Sequence, residues 1–174
     1  VRHSSPWGSM ALRPLIRYHH RMADSNATNS DLRTSPPAEV LIIDNDESHA
    51  QAVAESLDRV GCSCHVATSG TQGARLIEQR HFDVIITDLV MNDIDGLGIL
   101  ARAKKELPDA EVILITGHGT VPSAVTAMQQ GAFNYLLKPL DLSQLRAVTE
   151  KAAEGARLRR TNVGLFGVTV ALNG

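Results

Sequence analysis

Acidic residues follow two of the apolar runs in this chain and could take part in chemistry. The stretch "ITDLVMNDIDG", residues 86–96, holds three aspartates and an asparagine, and residues 44–46 read Asp-Asn-Asp. Clustered carboxylates repel one another unless a cation lies among them, and their hard oxygen atoms suit Mg²⁺. Two later apolar runs end in Thr116 and Lys138. A carboxylate nucleophile beside Mg²⁺, a lysine and a hydroxyl is a set of groups capable of phosphoryl transfer.

The elements that would position these groups alternate between strands and helices. Five short runs rich in Val, Ile or Leu predict strands, and at least the first, third and fourth are continuously apolar, as in strands covered on both faces. The intervening segments fit helices, with Asp46, Thr120 and Asp141 as candidate N-caps. This alternation predicts a doubly wound α/β domain around a parallel sheet. The strand candidates are residues 40–44, 62–68, 83–88, 111–116 and 133–138.

The predicted fold gathers the reactive residues at one place. In an open parallel sheet, ligands bind at the carboxyl ends of the strands, near the point where the strand order reverses. Four of the predicted strands are ended or followed by candidate reactive residues, so we expect these residues to converge on one edge. They are residues 44–46, Asp88, Thr116 and Lys138. Within the acidic stretch only Asp88 directly follows a central strand. It is therefore the aspartate of this stretch that we expect to take part in chemistry, and the other two aspartates there are interpreted as turn residues.

The composition is that of a single globular domain and excludes several classes of protein. The chain has 174 residues, of which 43% are hydrophobic and 21% charged, enough for one core but short for two. Its formal net charge of −2 argues against an electrostatic grip on nucleic acid. Cys62 and Cys64 are too few and too close for a disulfide framework. No run approaches the roughly 20 apolar residues of a membrane span, so we expect a cytoplasmic protein.

Three segments are predicted along the chain. Residues 1–38 are polar without a sustained period, which indicates a disordered segment that includes tag-derived sequence such as "GSM". Residues 39–158 form the folded domain. Residues 159–174 form a tail, of which residues 161–174 fit neither the last helix nor a domain, and we interpret the tail as a linker to a missing domain or as vector-derived sequence. The basic residues 157–160 are interpreted as a solvated helix end, and His49 as a structural or surface residue.

Four pieces of this sequence, in order, resemble a known family. They are the acidic cluster after "VLII", then "DLVMNDIDG", "ITGHG" and "GAFNYLLKPLDL". Together they resemble the receiver domain of two-component response regulators over residues 39–155, and the later pieces are most similar to nitrogen-regulator-type activators. Such receivers usually precede an ATPase domain that activates transcription. The resemblance implies a flavodoxin-like fold whose five strands have the order 2-1-3-4-5.

The resemblance also implies roles for individual residues. Asp88 would be the phosphoacceptor that attacks the phosphohistidine of a sensor histidine kinase. Lys138 would pair with the phosphorylated aspartate, and Thr116 would shift to hydrogen-bond it. Tyr135 would change rotamer on activation. The peptide bond between Lys138 and Pro139 would be cis.

A magnesium site is implied at the same edge. Asp44, Asn45, Asp88 and the backbone carbonyl of Val90 would be ligands, with Asp46 as an additional candidate. The family usually has a second acidic residue where this chain has Asn45. An amide oxygen can still bind the metal, but one negative charge is lost, which predicts weak magnesium binding.

Two further positions of the family influence how fast water removes the phosphoryl group, and here they are Val90 and His118. An apolar Val90 cannot orient a water molecule, which predicts a long-lived phosphorylated state. The chain would catalyse only its own phosphorylation and dephosphorylation. Its output would be a homodimer formed through the last two helices and the last strand, with no direct contact to a membrane or to nucleic acid.

Two alternatives remain open at this point. "LIIDND" also resembles haloacid-dehalogenase-like phosphohydrolases, in which Asp44 would be the nucleophile and Asp46 the general acid and base. That interpretation leaves Asp88 without a role, and the expected later acidic pair is incomplete. The other alternative is a receiver-like binding module that never takes phosphate, because Asn45 breaks the acidic pair. Phosphate-independent dimerisation would be its sign.

Overall fold

The computed structural model describes residues 36–171, with side chains up to residue 162. In this part of the chain, strands and helices alternate strictly, as predicted. The strands are β1 (Ala38–Ile43), β2 (Cys62–Ala67), β3 (Val84–Asp88), β4 (Glu111–Thr116) and β5 (Asn134–Leu137). The helices are α1 (Glu47–Asp58), α2 (Gly70–Gln79), α3 (Gly96–Glu106), α4 (Val121–Gln129) and α5 (Leu142–Ala171).

The sheet is parallel throughout and has the order β2-β1-β3-β4-β5, which confirms the predicted doubly wound fold. The central strands β1, β3 and β4 are almost entirely buried, because helices cover both faces of the sheet. The edge strands β2 and β5 are largely half-buried. Continuous apolar runs in the sequence therefore identified the strands at the centre of the sheet.

Successive side chains of the central strands enter two different apolar cores. Ile42 packs in the core that includes Leu57 of α1 and Leu145 of α5. Ile43 packs in the opposite core, with Ile77 of α2. This alternation follows from the two-residue period of a strand, and it makes β1 a rigid support for the residues that follow it.

The strand register brings the ends of four strands to one edge. Ile43 pairs with Thr87, so that the next residues, Asp44 and Asp88, lie side by side. Thr116 pairs with the last residue of β5, which Lys138 follows. The edge predicted to hold the site is therefore formed by the sheet itself.

The three predicted N-caps are present. Asp46 Oδ1 accepts a hydrogen bond of 3.1 Å from the backbone N–H of His49. Thr120 Oγ1 accepts one of 3.2 Å from the N–H of Ser123 and forms a capping box with it. Asp141 Oδ1 accepts from two N–H groups at the start of α5. Each cap satisfies amides that would otherwise lack a partner at a helix start.

The last helix is longer than predicted. α5 continues through Ala171, so the expectation that the segment from residue 161 does not continue the helix is wrong. Its basic residues explain part of the difference: Arg159 lies 2.7 Å from Glu111, and Arg160 lies 3.1 Å from the buried Asp83. These ion pairs hold the helix against the amino edge of the sheet past residue 158. The role of the segment as a linker or as vector-derived sequence stays a prediction.

The predicted N-terminal boundary lies close to the start of the sheet. β1 begins at Ala38, the final residue of the segment predicted to be disordered, and residues 1–35 of that segment lie outside the described residues. Of the helices within residues 36–171, none combines the length and the apolar character that a membrane span requires.

Candidate functional site

Asp88 is the last residue of β3 and reaches the carboxyl edge of the sheet almost buried, with 8% of its surface exposed. Its Oδ1 accepts a hydrogen bond of 2.9 Å from the backbone N–H of Val90. Its Oδ2 accepts one of 2.6 Å from Lys138 Nζ. Both carboxylate oxygens are therefore oriented by donors from two different segments.

Lys138 links the two acidic positions that the sequence singled out. Its Nζ donates to Asp88 Oδ2 and, at 2.9 Å, to Asp44 Oδ2. Its backbone N–H donates to the carbonyl of Thr116 at 2.9 Å, which fixes where the side chain begins. The peptide bond to Pro139 is cis, as the resemblance implied. Burial alone would lower the pKa of Lys138, but its hydrogen bonds to the two carboxylates outweigh burial and raise the pKa.

Asp44 accepts hydrogen bonds from three groups. Asp46 donates its backbone N–H to Oδ1 at 2.9 Å, while Lys138 and His49 Nδ1 both contact Oδ2, the latter at 2.6 Å. Burial would raise the pKa of Asp44, but these hydrogen bonds together lower it below its usual value. Asp44 is therefore an ionised, buried carboxylate beside Asp88.

His49 was not recognised as a site residue from the sequence. Its place five residues after Asp44, within the first turn of α1, was the only available signal, and that signal is weak. The prediction of a structural or surface role overlooked a direct bond to one of the two central carboxylates.

The predicted metal ligands differ in how free they are. Asn45 is exposed, whereas Asp46 uses Oδ1 as the N-cap of α1. Within residues 36–171, no group of three or more His, Cys, Asp or Glu side chains is arranged to hold a metal ion. The oxygen donors still fit Mg²⁺, because proteins often bind this ion through one or two carboxylates, with water and substrate phosphate completing the shell. The donor set that the resemblance implies would be two carboxylates, the amide of Asn45 and the carbonyl of Val90.

Thr116 and Tyr135 lie beside this cluster, on the neighbouring strands β4 and β5. Thr116 is fully buried, and its Oγ1 accepts a hydrogen bond of 3.1 Å from the N–H of His118. Tyr135 is half-buried, and its hydroxyl lies 2.8 Å from Ser123 Oγ in α4. The sequence did not identify Ser123 as the partner of the predicted switch tyrosine.

The remaining aspartates of the acidic stretch have structural partners. Asp93 accepts hydrogen bonds from the N–H groups of Gly70 and Thr71 at the start of α2. Asp95 is the N-cap of α3 and accepts from the N–H of Gly98 at 2.8 Å. These contacts agree with the interpretation of both as turn residues and leave Asp88 as the acid of this stretch that contacts Lys138.

Known proteins that match this chain are response regulators. The model of the response regulator receiver domain family matches residues 40–150. The chain is 36% identical over 129 residues to an NtrX-like response regulator of Rickettsia felis, and 36% identical over 118 residues to the transcriptional regulatory protein GlrR of Escherichia coli. These alignments cover 73% and 68% of this chain and 27% of each relative, so the chain spans about a quarter of the curated relatives it matches.

A solved structure agrees with these matches. A response regulator protein from Burkholderia pseudomallei, crystallised with a phosphorylated aspartic acid, a calcium ion and citrate, is 28% identical and has a TM-score of 0.62. The likeness covers 71% of this chain and 72% of that one. A phosphohydrolase of the haloacid dehalogenase type is not favoured, since the family match is to receivers. The chain therefore belongs to the response regulator receiver domain family of two-component signalling, in the nitrogen-regulator-type subgroup.

Proposed function

We propose that this chain accepts a phosphoryl group from a sensor histidine kinase onto Asp88. The observation that carries this proposal is the position of Lys138, whose ammonium donates to Asp88 at 2.6 Å and to Asp44 at 2.9 Å. A cation held between two buried carboxylates can stabilise the negative charge that develops when one of them gains a phosphoryl group. The phosphorylated aspartic acid in the Burkholderia pseudomallei relative supports the same chemistry.

The transfer needs only groups that this edge provides. A carboxylate oxygen of Asp88 attacks phosphorus, the P–N bond to the kinase histidine breaks, and an acyl phosphate forms. Lys138 stabilises the added negative charge. The Val90 N–H holds Oδ1 of Asp88 in place during the attack. Thr116 is one strand away and would turn its hydroxyl from the His118 N–H toward the phosphoryl group.

Asp44, Asn45, Asp88 and the Val90 carbonyl would hold Mg²⁺, with Asp46 as an additional candidate. When bound, the ion supplies positive charge against the phosphoryl oxygens. Asp44 keeps its carboxylate ionised for this role, because hydrogen bonds outweigh its burial and lower its pKa. The exposure of Asn45 leaves its amide oxygen accessible to the ion.

The output would be a change in the face formed by α4, β5 and α5. When Thr116 moves, Tyr135 would leave Ser123 and turn inward, which alters the surface of α4. That surface carries exposed apolar side chains suited to a homodimer, namely Val121, Val125 and Met128 of α4 and Leu137 of β5. The relatives are several times longer, and one is named a transcriptional regulator, so we propose that the dimer controls transcription through a further domain.

Other parts of the proposal concern the limits of this activity. The chain would catalyse its own phosphorylation and dephosphorylation and no other reaction. Response regulators are generally cytoplasmic, and we propose that compartment here. The chain has a formal net charge of −2 and so lacks the excess positive charge with which proteins bind nucleic acid. We therefore propose no direct contact between this chain and nucleic acid.

Intact mass after incubation with Mg²⁺ and acetyl phosphate tests the phosphoacceptor. The wild type, Asp88→Asn and Asp44→Asn are compared. The expected result is a gain of one phosphoryl group that is absent in Asp88→Asn. An adduct lost specifically in Asp44→Asn, with steady turnover of the donor, would instead indicate a hydrolase. If no variant forms an adduct, the chain is a phosphate-independent binding module.

A further inference from the structure

His49 is fixed in place against the carboxylate of Asp44. Its Nδ1 lies 2.6 Å from Asp44 Oδ2, and its imidazole is 25% exposed while Asp44 is 4% exposed. The backbone N–H of His49 donates to Asp46 Oδ1, and the N–H of Asp46 donates to Asp44 Oδ1. These three bonds close a ring of contacts at the start of α1. The imidazole therefore cannot leave Asp44 without a change of rotamer or loss of the helix cap.

The direction of the bond between His49 and Asp44 follows from the charge of the carboxylate. The ammonium of Lys138 lies 2.9 Å from Asp44 Oδ2 and the N–H of Asp46 lies 2.9 Å from Oδ1, so donors face both oxygens and the aspartate is ionised at neutral pH. An ionised carboxylate can only accept hydrogen bonds. The shared hydrogen is therefore on Nδ1 of His49, which donates whether or not the other ring nitrogen is protonated.

The acceptor capacity of Asp44 is nearly used up. A carboxylate offers about four lone-pair positions, two on each oxygen. Oδ2 receives both Lys138 and His49, and Oδ1 receives the N–H of Asp46. One position remains, on Oδ1. The side chain of Lys138 also donates to Asp88, whereas the side chain of His49 contacts only Asp44 of the two carboxylates.

We propose that His49 is a positioning residue that occupies Oδ2 of Asp44, directs Mg²⁺ to Oδ1 and lowers the affinity of the site for the ion. This inference rests on the proposed function, since it takes Asp44 as a metal ligand. His49 would be a second feature that lowers the affinity for Mg²⁺, in addition to the missing negative charge at Asn45. The two features involve different atoms, so mutations can separate their effects.

Calorimetric titration of the whole chain with MgCl₂ at one fixed pH tests the inference. His49→Ala returns a lone pair to Oδ2 and should bind Mg²⁺ about fivefold more tightly, the effect of one typical net hydrogen bond. His49→Asn places an N–H donor near the position of Nδ1 and should retain the wild-type affinity. Unchanged or weaker binding in His49→Ala, or an Asn variant that behaves like the Ala variant, would overturn the proposal.

A second measurement uses only the wild type, so it does not depend on whether a variant folds. Long-range ¹H–¹⁵N correlation spectra of the wild type without Mg²⁺ should show the hydrogen of His49 on Nδ1. A dominant form with hydrogen on Nε2 alone would overturn the proposal, because Nδ1 would then have nothing to donate.

Asp44→Asn separates this inference from the proposed function. If Asp44→Asn binds Mg²⁺ as tightly as the wild type, Asp44 is not a ligand and the assignment of the metal site fails. If Asp44→Asn loses binding while His49→Ala leaves the affinity unchanged, the site stands and only the role of His49 is wrong.

Discussion

The Ser123 hydroxyl of α4 joins the cap of that helix to Tyr135 of β5. Ser123 Oγ lies 2.8 Å from Tyr135 Oη and donates to the Thr120 carbonyl at 2.8 Å. A serine hydroxyl carries one hydrogen, so Tyr135 must donate to Ser123, which also accepts from the Thr120 N–H at 3.0 Å. Ser123 Oγ therefore has two roles: it accepts the hydrogen bond from Tyr135, the predicted switch residue, and it caps the first turn of α4.

Replacing Ser123 should loosen both elements. Ser123→Ala removes one half of the capping box and the acceptor of Tyr135, and we expect the free energy of unfolding to fall by about 1 kcal/mol. Urea denaturation measures the loss, with Ser48→Ala, an exposed serine in the first turn of α1, as control. In a double-mutant cycle with Tyr135→Phe, a coupling of at least about 0.5 kcal/mol is expected. Additive losses would show that the two hydroxyls do not interact.

Asn45→Asp should strengthen magnesium binding. The substitution adds a second carboxylate next to Asp44, and the added negative charge attracts the divalent ion. We expect Kd for Mg²⁺ to fall by about tenfold in calorimetry. Asn45→Ala removes the amide oxygen and should bind more weakly than wild type. Equal affinities in all three proteins would show that residue 45 does not reach the ion.

The side chain of Val90 should make the acyl phosphate long-lived. It is 58% exposed, and its backbone N–H donates to Asp88, so we expect this apolar side chain to lie near the path of the water that would remove the phosphoryl group. Val90→Gln could orient that water and should speed loss of the adduct roughly tenfold, less than a full general base provides. Decay of the phosphorylated mass after removal of donor measures the rate. Val90→Ala is the control and should decay like wild type, whereas rapid decay of the wild type would contradict the idea.

Acid should release the loop after β3 from the start of α2. Hydrogen bonds from Thr71 and Gly70 lower the pKa of Asp93 below its ordinary value of 3.8. A group with a depressed pKa stabilises the fold above its unfolded value, and this contribution is lost as pH falls through the folded pKa. Protection of the Thr71 amide from exchange, measured relative to an unfolded peptide at the same pH, should therefore be retained at pH 4 and decrease at lower pH. Asp93→Ala should show fast exchange at both pH values, and a Thr71 amide whose exchange is unaltered by the variant would count against the contact.

The sequence predicted the sheet and the edge where the site lies, because both follow from patterns along the chain. Continuous apolar runs identified the central strands, and Asp44 and Asp88 follow directly from where those runs end. Contacts between side chains of separate elements were not predictable in this way. His49 reaches Asp44 because α1, capped by Asp46, starts directly after β1, and Ser123 meets Tyr135 because α4 packs beside β5.

The extension of α5 was missed for a related reason. Residues 159–171 have little amphipathic pattern of their own. This part of the helix is held by the ion pair between Arg160 and Asp83. Asp83 is 77 positions earlier in the chain and lies at the opposite edge of the sheet from the site. Only the folded sheet brings that aspartate to the helix.

Lys138→Met should make the fold depend on magnesium. The variant keeps most of the side-chain volume but leaves the carboxylates of Asp44 and Asp88 facing each other without a cation. Breaking a buried ion pair costs 3–5 kcal/mol, and because the Lys138 side chain is 23% exposed we expect about 2 kcal/mol here. Mg²⁺ would replace the missing charge, so the ion should raise the Tm of the variant more than that of the wild type. Thermal unfolding with and without MgCl₂ measures the difference, with Lys151→Met on the exposed face of α5 as control. If Mg²⁺ stabilises the variant and the wild type equally, the ion does not bind between the two carboxylates.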